Sequence, residues 1–154
     1  MQIHTALGIV FAFFATATPE NSLLIGNWQV NQARSSLAAG ATPYKRSTCR
    51  IEEKGDGLRV SYDIVGVRGG VIHLEWTGKL DGNDYPIQGM DEVVTNAYTR
   101  VDDHTYDIVV KVDGNRAATA RTVIAADGKS MATSTTSRNA RGETVTTTVV
   151  YERK

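Results

Sequence analysis

The sequence is poor in cysteine and in net charge. Cys49 is the only cysteine, so no intrachain disulfide can form, and beside Ile51 it is expected to be a small buried hydrophobe. Seventeen basic residues balance seventeen acidic ones without a basic patch, so nucleic acid is not an expected partner. The chain also lacks Gly-x-Ser-x-Gly, His-Glu-x-x-His and Cys-x-x-Cys motifs. We therefore predict no cofactor and no metal.

Long hydrophobic runs are confined to the amino terminus. Residues 1–17 contain no Lys, Arg, Asp or Glu, and the apolar run at 6–15 is too short to span a bilayer. A small-x-small site ends at Ala17, which fits signal-peptide cleavage. We predict a signal peptide over 1–17, a secreted or periplasmic protein, and no stable membrane insertion after its removal. If the segment is retained, we expect a cytoplasmic protein with this segment packed on the domain.

Apart from one longer gap between Asn83 and Asp113, glycine-containing turns recur at intervals of roughly 10–15 residues, a spacing typical of consecutive antiparallel hairpins. They are Gly55-Asp56-Gly57, Gly69-Gly70, Asp81-Gly82-Asn83, Asp113-Gly114-Asn115, Asp127-Gly128 and Arg141-Gly142. Hairpins in such a run close most easily into a barrel, whereas a sandwich needs longer crossovers.

Alternating apolar and polar residues fill the intervals between these turns. Leu58, Val60, Tyr62 and Ile64 share one face of the clearest strand. We predict an all-β domain over 18–154, a closed antiparallel up-and-down barrel of about 8–10 strands, with a sandwich as the alternative. Strands are expected near 26–31, 44–54, 58–64, 72–76, 92–101, 105–112, 116–126, 130–138 and 143–152, with a short edge strand at 84–87 and a loop or helical turn at 33–43.

Both ends of the domain resemble one superfamily. Gly26-x-Trp28 at the first strand and Tyr151-Glu152-Arg153 at the last resemble the calycins, which include lipocalins and fatty-acid-binding proteins. From Gly26 to Arg153 the chain resembles a bacterial lipocalin-like domain family of unassigned function. The resemblance implies a barrel plugged at one end by the Trp, holding a small molecule. Val149 stands where fatty-acid-binding proteins have the Arg of an Arg-x-Tyr carboxylate site, so that site is not implied.

Aromatic and polar residues on the predicted inward faces are the candidate ligand-binding residues. Rings with polar tips need partners when buried, and a ligand can be one. The alternative is that they only pack the core, and for the arginines that they lie in solvent. The candidates are Tyr62, Trp76, Asn96, Tyr98, Arg100, Tyr106, Arg121 and Tyr151. Either face of strand 92–101 could point inward, so the sequence leaves open whether Asn96, Tyr98 and Arg100 face the interior.

The histidines are not expected in the site. His73 and Glu75 alternate with the apolar residues of their strand, which places them on the outer face, and His104 falls in a turn. Three functions remain open for such a barrel. It could carry or sequester a small hydrophobic or amphipathic molecule. It could be a cofactor-free isomerase, cyclase or hydratase using Tyr98, Arg100 and Arg121, or a surface-interaction protein with a filled barrel. Oligomeric state cannot be predicted.

Overall fold

The computed structural model describes residues 22–154. The predicted signal peptide, 1–17, lies outside the described residues. A 3₁₀ turn at Gln32–Arg34 follows the first strand and overlaps the start of the segment 33–43, which was expected to be a loop or one helical turn. The strands are β1 (Gly26–Val30), β2 (Tyr44–Lys54), β3 (Gly57–Gly66), β4 (Val71–Gly78), β5 (Tyr85–Gln88), β6 (Val94–Arg100), β7 (Thr105–Val112), β8 (Asn115–Ile124), β9 (Ser130–Arg138) and β10 (Thr144–Arg153). Across residues 22–154, no helix has the length and apolar character to cross a membrane.

The strands form a closed barrel in which each strand pairs antiparallel with the next and β1 pairs with β10. This confirms the predicted up-and-down barrel rather than the sandwich. Short β turns make the order possible, as at Asp113-Gly114, where φ values of 49° and 80° suit a two-residue hairpin. The edge position expected for β5 is wrong. In the closed barrel β5 pairs with both β4 and β6, through two residue pairs on each side.

The two ends of the barrel differ. At the closed end lie the start of β1 and the connections 55–56, 79–84, 101–104 and 125–129; at the open end lie the connections 31–43, 67–70, 89–93, 113–114 and 139–143. The largest buried side chains lie toward the closed end, among them Trp28, Leu58, Tyr106 and Ile124. The packed core therefore fills one half of the barrel and leaves the other half free for a cavity.

Trp28 seals the closed end. Its ring is 1% exposed, and its indole Nε1 donates a hydrogen bond to the carbonyl of Leu24 at 2.8 Å. The guanidinium of Arg153, which pairs with Trp28 across β1 and β10, lies 4.2 Å from the ring centroid. Gly26 has a φ of +149° and faces this guanidinium, so a side chain there would be strained and would collide with Arg153.

Cys49 lies inside the wall, as the sequence indicated. It is 2% exposed, and its inward-facing neighbours along β2, Ser47 and Ile51, are buried with it. Burial raises the pKa of the thiol to about 12, although a hydrogen bond with Tyr62 has a smaller, lowering effect. The side chain is therefore a neutral core residue rather than a thiolate nucleophile at neutral pH.

Candidate functional site: the barrel cavity

A cavity of about 320 Å³ occupies the open half of the barrel. Inward-facing side chains of β1–β4 and β6–β10 build its wall because alternate residues of a strand point to the same side. Its lining comprises Val30, Tyr44, Ser47, Tyr62, Ile64, Leu74, Asn96, Tyr98, Ile108, Val110, Ala120, Thr133, Thr135, Val149 and Tyr151. The surface is mainly apolar, with hydroxyl and amide groups placed among the hydrocarbon.

Three phenols form the floor of the cavity. Tyr62, Tyr98 and Tyr151 also line a smaller cavity of about 50 Å³ that continues toward the closed end. Burial raises the pKa of Tyr98 to about 12 and raises the pKa values of Tyr62 and Tyr151 well above the ordinary value. All three are therefore neutral near pH 7 and can donate or accept a hydrogen bond, but they cannot balance a ligand's charge.

Asn96 supplies an amide group beside these phenols. Its backbone carbonyl accepts a hydrogen bond from Trp76 Nε1 at 3.1 Å, and its side-chain Oδ1 is buried without a hydrogen-bond partner. Buried polar atoms are normally paired, so Asn96, a residue of the cavity wall, keeps one unsatisfied hydrogen-bond acceptor in the ligand-free protein. The structure thus resolves the ambiguous strand, since Asn96 and Tyr98 on β6 both line the cavity.

Trp76 and Tyr106 lie deeper than the main cavity. Trp76 lines the smaller cavity, with its ring centroid 4.6 Å from that of Tyr98 and 5.8 Å from that of Tyr85. Tyr106 is fully buried and its hydroxyl shares a hydrogen bond with Ser22 Oγ at 3.1 Å. In the part of the chain that is described, Tyr106 lines neither cavity and packs the core, whereas Trp76 contacts the cavity through Tyr98.

The two candidate arginines lie outside the cavity lining. Arg121 points outward because Ala120 and Thr122 occupy the inward positions of β8; its Nε donates to Asp107 at 2.7 Å across the neighbouring strand. Arg100 comes at the closed end of β6 and forms an ion pair with Asp103. The structure therefore does not bring Tyr98, Arg100 and Arg121 together, and Tyr98 alone among these three lines the cavity.

The predicted outward placement of the His73 pair is confirmed. His73 Nδ1 lies 2.7 Å from Asp63 Oδ1, and Glu75 accepts from Arg59 Nη2 at 2.6 Å on the outer surface. His104 lies in its turn, half-buried, with Nδ1 3.0 Å from the carbonyl of Ile124. Among residues 22–154, no group of three or more His, Cys, Asp or Glu residues could hold a metal ion.

Sequence reasoning missed several cavity residues. Thr133 and Thr135 line the cavity at alternate positions of β9. The alternation of β9 was readable, but its threonines gave no apolar face by which to choose the inward side. Tyr44 was not identifiable, because the register of β2 on β3 shifts between Tyr44 and Arg46 and this bulge re-aims the end of the strand.

Fold and cavity together define a closed ten-stranded up-and-down barrel with an internal cavity, an architecture that fits the calycin-like fold implied by Gly26-x-Trp28. No family model and no curated protein sequence matches the chain. Among solved structures, the chain is similar to one described as "The Siderocalin Ex-FABP functions through dual ligand specificities". The identity is 17%, the TM-score is 0.39, and the match covers 86% of this chain and 71% of that chain.

Proposed function

We propose that this protein binds a small hydrophobic or amphipathic molecule inside the barrel. The observation that carries the proposal is the cavity of about 320 Å³, whose mainly apolar wall includes a few convergent hydroxyl and amide groups. Small-molecule sites typically have a volume and lining of this kind. A filled barrel acting only through its surface does not account for a cavity of this size. Export through residues 1–17 remains a prediction, which amino-terminal sequencing of the secreted protein would test.

The wild-type protein carries its own reporter of occupancy. Because Trp76 packs on Tyr98, a molecule in the cavity should alter tryptophan emission. We expect the neutral dye N-phenyl-1-naphthylamine to bind with increased dye fluorescence and energy transfer from tryptophan. A protein that leaves this dye and a panel of neutral lipids unbound, and that is empty by native mass spectrometry, would contradict the proposal.

A pair of matched variants tests whether binding occurs inside the barrel. Ala120 lines the cavity and Ala117 is exposed on the same strand, so the same substitution can be made at both. We expect Ala120→Phe to fill the space and reduce dye binding at least about tenfold, and Ala117→Phe to leave it unchanged. Circular dichroism checks the fold. If Ala120→Phe does not fold, the smaller Ala120→Leu should show the same direction, and equal dye binding by both position-120 and position-117 variants would place the dye elsewhere.

A further inference from the structure

A second apolar space adjoins the mouth of the cavity. A groove of about 510 Å³ lies between the segment before β2 and the tip of the β3–β4 hairpin. Its lining is Thr42, Pro43, Tyr44, Ile64, Gly66, Val67, Arg68, Gly70, Val71 and Ile72. Tyr44 and Ile64 line both the groove and the cavity, so the two spaces meet at these side chains.

The hairpin tip exposes apolar side chains to solvent. Val67, Val71 and Ile72 are 62%, 65% and 55% exposed, although Ile72 continues the inward face of β4 and pairs with Ile64. An exposed apolar patch on a soluble domain commonly marks a binding surface. Its continuity with the cavity indicates that one molecule can occupy both, with its hydrocarbon part leaving the barrel along the hairpin.

The cavity and the groove differ in the polar groups that line them. The phenols Tyr62, Tyr98 and Tyr151 lie at the inner end of the cavity and Asn96 lies in its wall, whereas the groove is apolar apart from Thr42, Arg68 and the hydroxyl of Tyr44. No Lys, Arg, His, Asp or Glu is among the cavity-lining residues of the described chain. A charged head group there would lose its hydration without gaining an ionic partner, which is costly.

From this arrangement, we infer that the site takes an uncharged single-chain amphiphile in a head-in orientation. The Asn96 side chain turns toward the cavity so that Oδ1 accepts from a hydroxyl or amide N–H of the head, and the hydrocarbon chain runs past Tyr44 and Ile64 into the groove. This inference rests on the proposed function and adds the class of ligand. The opposite orientation, with an anionic head at Arg68 and the chain in the cavity, is the alternative that the test must separate.

Displacement of N-phenyl-1-naphthylamine by a matched series of ligands tests the head group. At pH 8 we expect 1-decanol to displace the dye at concentrations at least about tenfold below those of decanoate or decylamine, because only the charged heads require desolvation without a partner. The methyl ether of 1-decanol, which lacks the donor, should bind about fivefold more weakly than 1-decanol. If decanoate binds as tightly as 1-decanol or more tightly, the inference is overturned. Weaker decanoate binding in the Arg68→Gln variant would then establish the opposite orientation.

Variants test the assigned contacts. Asn96→Leu should remove the advantage of 1-decanol over its methyl ether, and Asn27→Leu, an exposed position on β1, should keep it. Ile72→Ser should weaken 1-decanol more than 1-hexanol, whereas Val101→Ser, exposed at the closed end, should affect neither. If Asn96→Leu fails to fold, the ether comparison on the wild-type protein still decides. An unchanged 1-decanol-to-1-hexanol ratio in Ile72→Ser would overturn the groove assignment.

The outcomes distinguish this inference from the function beneath it. If the dye does not bind, the binding function itself fails. If the dye binds the cavity but decanoate or decylamine displaces it at lower concentrations than 1-decanol, the protein remains a small-molecule binder. Only the assignment of an uncharged head group in the head-in orientation is then lost.

Discussion

Arg153 joins three parts of the closed end that are distant in sequence. Its guanidinium donates to the carbonyls of Gly128, Ile25 and Leu23 at 2.9, 2.7 and 2.8 Å. Its plane covers Trp28, so the cation also interacts with the indole face. A single side chain therefore donates hydrogen bonds to backbone carbonyls in the segment before β1 and in the β8–β9 turn. Without Arg153 these carbonyls would lose that donor.

Replacing this arginine should be costly. We expect Arg153→Met, which keeps the length of the chain, to lower the free energy of unfolding by about 2–5 kcal/mol because three backbone carbonyls lose their donor. The control is Arg34→Met, since Arg34 forms a solvent-exposed pair with Glu152 at 3.5 Å and should contribute less than about 1 kcal/mol. Urea denaturation followed by tryptophan emission measures both. Equal midpoint shifts in the two variants would contradict the role given to Arg153.

Strand β5 is the weakest part of the barrel wall. It pairs with β4 through Glu75 and Trp76 and with β6 through Asn96 and Thr95, whereas β2 and β3 pair along their whole length. Pro86 adds no amide donor to the ladder. The wall between β4 and β6 is therefore held by few backbone hydrogen bonds, next to the hairpin that carries the groove.

Hydrogen exchange should show this difference. We expect amides of Ile87 and Gln88 to exchange through local opening, at least about tenfold faster than Val60 and Ser61 in the long β2–β3 ladder. Exchange measured by mass spectrometry or NMR on the ligand-free protein resolves the two regions. Protection of β5 equal to that of β3 would show that the short ladder does not limit local stability.

At the scale of the whole molecule, the buried thiol and phenol groups make the protein less stable at alkaline pH. Burial raises the pKa values of Cys49 and Tyr98 to about 12 each. In the unfolded chain these groups ionise near their ordinary values, about 8.5 and 10. Below those values both states are protonated and the full stability is present. As the pH rises further, the unfolded chain loses protons first, so the free energy of unfolding falls until the pH passes about 12.

Urea midpoints measured between pH 8 and pH 11.5 test this behaviour. We expect the wild-type protein to lose stability over this interval, with Cys49 and Tyr98 together contributing on the order of 2 kcal/mol or more. The double variant Cys49→Ala, Tyr98→Phe should have a shallower slope, although its stability at pH 8 is changed by the substitutions themselves. Parallel slopes for the two proteins would mean that these groups do not set the alkaline limit.

Much of the fold could be predicted because its signals are local. Turn residues such as Asp113-Gly114 and the alternation from Leu58 to Ile64 depend on near neighbours, and the closed meander follows from them. The site was less predictable. Tyr62, Asn96, Tyr98 and Tyr151 line the cavity, but Tyr106 packs the core, because alternation gives the face of a strand and not the depth along the barrel axis.

The sequence by itself determined a run of hairpins typical of a barrel and aromatic residues on the inward faces of its strands, since turn chemistry and period-2 patterning act within single strands. Only the tertiary structure decided where the core ends and the cavity begins, that Arg121 faces Asp107 outside the barrel, and that Asn96 Oδ1 is left unpaired. These facts depend on strand stagger and on contacts between distant segments, which no local pattern records.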